Sequence, residues 1–201
     1  MANFSIPIQA VSTTSGNQPR ATRIIEELSQ TFKAGTVVEI FTDGGVKVWD
    51  GATVTAGIAG ISYEAASNLA STGLGAPVPY SPVTGLGATI TFGSVPNETS
   101  AVNIPHGAPP NDGRCGLYIG AGDTVFTAAF GTTGAATVPA VTDVGVAYGM
   151  TVDANGYWYV DKAKTGGNAV VRITALDPRD VPAAGSRVQF VFLAAAAQLL
   201  A

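Results

Sequence analysis

A chain of 201 residues with 46% hydrophobic and only 12% charged residues can bury on the order of 70% of the surface its unfolded form exposes, yet carries few ions for its exterior. Ten basic against 14 acidic residues give a net charge of −4 and a pI near 4.8, which excludes the basic face that nucleic-acid binding requires. A single cysteine cannot form an internal disulfide, and the uncharged run from Val191 to Ala201 is shorter than the about 20 helical residues that span a bilayer, so neither a disulfide scaffold nor a membrane partner is expected.

In chain order, the opening MANFSIPIQAVSTTSG lacks the basic start and apolar core of a signal peptide and predicts synthesis in the cytoplasm. Phe4, Ile6 and Ile8 alternate briefly before the polar stretch Ser12 to Gln18, so residues 1–33 read as an extended N-terminal arm. Arg20 to Gln30 leaves two alternatives open. It can form helical turns with Ile24, Ile25 and Leu28 on one side, or stay extended.

From Phe32 the period becomes two. Val38 and Ile40 alternate with their neighbours, Asp43-Gly44-Gly45 turns, and Val46 to Trp49 returns as the second arm of a hairpin. Ala52 to Ile61 reads as a further strand bent at Gly57 and Gly60. A polar or helical piece, SYEAASNLAS, then leads into a Gly/Pro-rich insertion at about 76–114, with one short strand predicted at Ala88 to Phe92. No Lys or Arg occurs between Lys47 and Arg114, and Glu64 and Glu98 are the only acids from Gly51 to Pro110.

Strand character returns at Leu117 to Phe130 with a break at Gly120 to Gly122. Val144 to Val152 and Tyr157 to Asp161 are paired across Asp153-Ala154-Asn155-Gly156. The last hairpin joins Val171, Ile173 and Ala175 to Val188, Phe190 and Phe192 through a long loop holding Pro178, Pro182 and Gly185. Eight to ten short strands separated by turns predict an all-β fold: a small β-barrel or β-tulip-like domain over residues 34–193, followed by an apolar tail at 194–201.

Chemistry has few places to form. His106, Asp112 and Cys115 share one loop but lack the further soft ligands that a tetrahedral metal shell needs. Asp177 and Asp180 flank Pro178 and Arg179, and read as a turn with a local charge partner rather than an acid/base pair. Gly120-Ala121-Gly122 is half a dinucleotide fingerprint with no helix behind it, and Asn97-Glu98-Thr99 is a glycosylation pattern without a secretion signal. Trp49, Trp158, Tyr157 and Tyr159 would suit stacking on sugars if exposed.

Several stretches in joint order resemble the head decoration, or cement, proteins of tailed bacteriophages: FKAGTVVEI at 32–40, GIAGISYEAAS at 57–67, DTVFTAAF at 123–130, YGMTVDANGYWYVDKAK at 148–164, and VVRITALDP with RVQFVFL at 170–193. The similarity covers roughly residues 30–193, and the insertion at 76–114 exceeds that family's pattern. What the resemblance implies is a β-barrel, often trimeric, on the capsid exterior, clamping neighbouring subunits of the major capsid protein without catalysis or cofactor. On that expectation the arm reaches a neighbouring subunit, with Phe4, Ile6, Ile8 and Phe32 as apolar anchors and Arg20 and Arg23 facing acidic capsid surface. Deleting residues 2–19 should then leave the barrel folded. The alternative is a carbohydrate- or receptor-binding module on the virion surface that uses barrel aromatics or the loops at 76–114.

Overall fold

The computed structural model describes residues 4–27, 30–41, 44–66 and 114–199. Among these the chain forms twelve strands: β1 (Gln9–Thr13), β2 (Ala21–Ile25), β3 (Val37–Ile40), β4 (Val46–Val48), β5 (Gly60–Ser62), β6 (Arg114–Ile119), β7 (Thr124–Thr132), β8 (Ala135–Ala136), β9 (Ala147–Val152), β10 (Trp158–Asp161), β11 (Val171–Leu176) and β12 (Arg187–Phe192). The only helical pieces among the described residues are two single 3-10 turns, Val141–Asp143 and Gly166–Asn168. The fold is all-β, as the period-two patterning predicts.

Five strands close on themselves. They are hydrogen-bonded in the order β7-β10-β9-β11-β12, and β12 returns to β7, so the ring is a small barrel with no free edge. β10 runs parallel to β7, and the other pairs are antiparallel. β7 is buried along nearly its whole length: Phe126, Ala128 and Phe130 pack into the first core and Phe4 covers Ala129, while β1, β8, β10 and β12 pair along its edges. Inside the ring, Phe126, Phe130, Met150, Val160, Val171, Ile173, Val188, Phe190 and Phe192 interdigitate.

The second sheet, β2-β6-β5-β3-β4, is antiparallel and curls until Val46 bridges Glu26 just beyond β2. Its core holds Phe32, Val38, Val46, Cys115 and Leu117. β3 serves both units, since alternation sends Val37 into the first core and Val38 into the second. Trp49 and Trp158 meet at 5.4 Å between ring centroids in the shared core. The second sheet therefore sits against the end of the barrel where β10 begins.

All three predicted hairpins form. β9 and β10 pair across 153–156, where Gly156 adopts φ 83° and Asp153 Oδ1 accepts from the Asn155 and Tyr157 amides. β11 and β12 pair from Val171↔Phe192 to Leu176↔Val188.

Other expectations need correction. Residues 4–25 are not an arm: β1 pairs with β7 and β2 pairs with β6 from Ala21↔Tyr118 to Ile25↔Arg114, which also settles Arg20 to Gln30 as extended at its start rather than helical. Threading the segment along two sheets gives its amides partners and buries Phe4 and Ile8, an outcome that local composition does not reveal. The strand expected at Ala52 to Ile61 shrinks to Gly60–Ser62, because Asp50 Oδ1 accepts from the Ala52 and Thr53 amides and coils the chain into a turn. The apolar tail is also part of the fold. Ala196 and Ala197 are buried, Ala197 bridges Ile58, and the Gln198 side chain accepts from the Ile40 amide at 2.7 Å and donates to the Ile40 carbonyl at 2.8 Å. The strand at Ala88 to Phe92 and most of the insertion at 76–114 lie outside the described residues.

Candidate functional site

The end of the barrel remote from the second sheet is built from the segment 137–146 and the loop 177–186 between β11 and β12. The Gly185 amide donates to the Thr137 carbonyl at 3.1 Å, and the Gly145 amide to the Ile173 carbonyl at 2.8 Å, so the two segments are tied to one rim.

The ions at this rim satisfy one another, buried carboxylates meeting more exposed cations. Asp177 is buried and accepts from the Arg179 guanidinium at 2.6 Å and from the Thr127 hydroxyl at 2.8 Å. The Arg179 bonds, with help from Thr127, hold its carboxyl well below the usual range despite burial. Arg187 donates to Asp180 through Nε at 3.0 Å and likewise lowers that carboxyl. Asp143 is buried too. Burial alone would raise its carboxyl, but Lys162 at 2.8 Å, the Ala140 amide at 2.9 Å and the Tyr148 hydroxyl at 2.7 Å together hold it low, while burial and Asp143 push Tyr148 up to about 12.

Beside the half-exposed Arg179 and the exposed Thr142, the rim shows a set of valines to solvent. Val141 is 77% exposed, Val181 84% and Val138 50%, with Val144 and Val146 partly open. Valine is stiff at χ1 and loses little freedom on contact, so a valine rim is preorganised for an apolar partner. These residues were not singled out from sequence. The available signal was valine at 138, 141 and 144 in a Pro/Gly-punctuated segment too irregular to be a strand.

The residues expected to contact a partner are scattered. Phe4 stacks on Tyr159 at 4.5 Å between centroids, Ile8 enters the first core and Phe32 the second, so these three apolar anchors are consumed inside the chain. Ile6 is half-buried and Arg20 is exposed, while Arg23 pairs with Glu64 at 3.1 Å.

Asp177 pairs with Arg179 within the turn, and Asp180 pairs with Arg187 across the loop. Cys115 is fully buried, and burial pushes its thiol up, which suppresses the reactive thiolate. His106, Asp112 and Asn97 lie outside the described residues. Gly120 is committed to the fold through its amide, which donates to the Ala59 carbonyl at 2.8 Å. Of the four aromatics suited to stacking on sugars, Trp49, Trp158 and Tyr159 are buried and Tyr157 is half-buried.

Among the described residues, no group of three or more His, Cys, Asp or Glu could hold a metal ion, and no helix is long and apolar enough to cross a membrane. Fold and surface thus define a class: a small all-β barrel protein with exposed valines beside internally paired ions. No family model, curated protein or solved structure matches the chain.

Proposed function

We propose that this chain is a structural virion protein that binds the outside of a phage capsid and stabilises it by bridging subunits of the major capsid protein. It acts without catalysis or cofactor, together with neighbouring copies of itself in a homotrimer.

The observation that carries the proposal is the surface of the described residues. Phe41, Tyr63, Val48 and the rim valines leave large apolar side chains exposed on a body whose own core is filled. Such side chains gain about 25 cal/mol per Å² when a partner covers them. The segments resembling decoration proteins supply strands β3, β5, β7, β9, β10, β11 and β12, so the resemblance lies in the framework that holds this surface.

The test adds purified chain to expanded empty heads of the phage that encodes it. Co-sedimentation at saturating occupancy and a higher temperature of head disruption are expected. Heads that neither retain the chain nor gain heat resistance would overturn the proposal.

A further inference from the structure

We infer that the valine rim of Val138, Val141, Val144, Val146 and Val181, and not the N-terminal segment, is the surface that seats on the shell, in an uncharged apolar recess of the major capsid protein. This rests on the capsid role proposed above and locates its contact.

Three observations select the occupant. The first is charge. Arg179, Arg187 and Lys162 are each paired with Asp177, Asp180 or Asp143 in the same chain, so these three acid–base pairs sum to no net charge and favour neither an acidic nor a basic partner. An uncharged face leaves the three pairs intact.

The second is area. The five valines expose roughly 400 Å² in all, a typical size for a functional patch but about half of the roughly 800 Å² per partner that a stable isolated pair buries. Two copies meeting rim to rim would therefore associate weakly. A shell suits the patch better: a recess contacts the sides of the two projecting segments as well as their tips, and neighbouring copies held together engage several recesses at once.

The third is the fate of the alternative anchors. Phe4, Ile8 and Phe32 are buried in this chain's cores and cannot be released to a neighbour without unpacking them. The rim valines carry no such internal duty.

The experiment compares the unmodified chain with Val141→Asp/Val181→Asp, and with Val11→Asp as an exposed control on β1. All three should share one melting temperature, because these side chains contribute little to the core. On expanded empty heads the rim variant should lose at least tenfold in affinity, the control should match the unmodified chain, and binding should be nearly unchanged between 50 and about 500 mM salt, since no ion pair forms across the contact. Equal binding by the unmodified and rim-variant chains overturns the rim assignment alone. An unmodified oligomer that the rim variant splits shows that a second copy occupies the rim, and also overturns it. Failure of the unmodified chain to bind heads removes the capsid role, and this inference with it.

Discussion

Asp177 shows how a single side chain organises the rim. Its carboxylate is fixed by Arg179, by Thr127 and, at 3.7 Å, by Arg187, and the folded chain keeps it charged well below the ordinary 3.8. Asp180, Asp143 and Asp50 are shifted in the same direction. The unfolded chain, with ordinary carboxyls, therefore binds protons first as the pH falls. The stabilisation is complete above about pH 5 and is lost as the pH drops through 4 toward the lowered folded values. Melting temperature should fall steeply between pH 5 and 3. Asp177→Asn should be less stable at pH 7 by about 2 kcal/mol, because it leaves Arg187 without part of its counter-charge, and should lose less on acidification. Parallel pH curves for the two proteins would show that Asp177 is not responsible. Gly60 is a second residue with one solution: a Cβ there would lie 2.0 Å from the Tyr118 carbonyl oxygen and 3.0 Å from the Gly120 amide, both backbone atoms that cannot swing aside. Gly60→Ala should cost about 2 kcal/mol or more, seen as a lower urea midpoint with an unchanged slope.

Elements differ in how much of their placement is local. β9, β10, β11 and β12 were legible because period-two patterning and the turns at 153–156 and 177–186 are written within a few residues of each strand. β1 and β2 were not, since their partners, β7 and β6, lie some hundred residues away and the intervening polar stretch mimics a free arm. The rim was missed for a related reason: exposure of Val141 and Val181 depends on what does not pack over them, which no single segment records. Deleting residues 2–19 separates the two accounts. It removes β1 together with Phe4 and Ile8, whose burial alone is worth about 3–6 kcal/mol, a large share of the total for a domain. The truncated chain should be mostly unfolded or aggregated by circular dichroism, and a folded, stable truncation would restore the arm. The tail makes a smaller, sharper case. Gln198 stands in for a strand partner at both backbone groups of Ile40, so Gln198→Ala should lower the melting temperature by roughly 2–8 °C through loss of about 1–2 kcal/mol.

At the scale of the whole molecule, a closed barrel and a second, curled sheet can behave as two domains or as one cooperative unit, and the core decides between them. Val37, Trp49, Ile58 and Ile61 from the second sheet and its connections belong to the same buried cluster as Phe126, Trp158 and Phe192 from the barrel. Ala196 and Ala197 run from the end of β12 onto Ile58, and Lys33 donates to the Asn155 carbonyl at 2.8 Å from the other side. Opening either sheet exposes part of the other's core, so partial unfolding forfeits apolar burial without releasing a self-sufficient remainder. One transition is therefore expected. Three probes report on different places: tryptophan fluorescence on the Trp49–Trp158 contact where the units meet, far-UV circular dichroism on all strands, and reaction of Cys115 with a thiol reagent on the second core. Their urea midpoints should coincide. Cys115 labelling at a lower midpoint than the circular dichroism change would mean that the second sheet opens alone, and the apolar rim would then belong to an independently stable barrel.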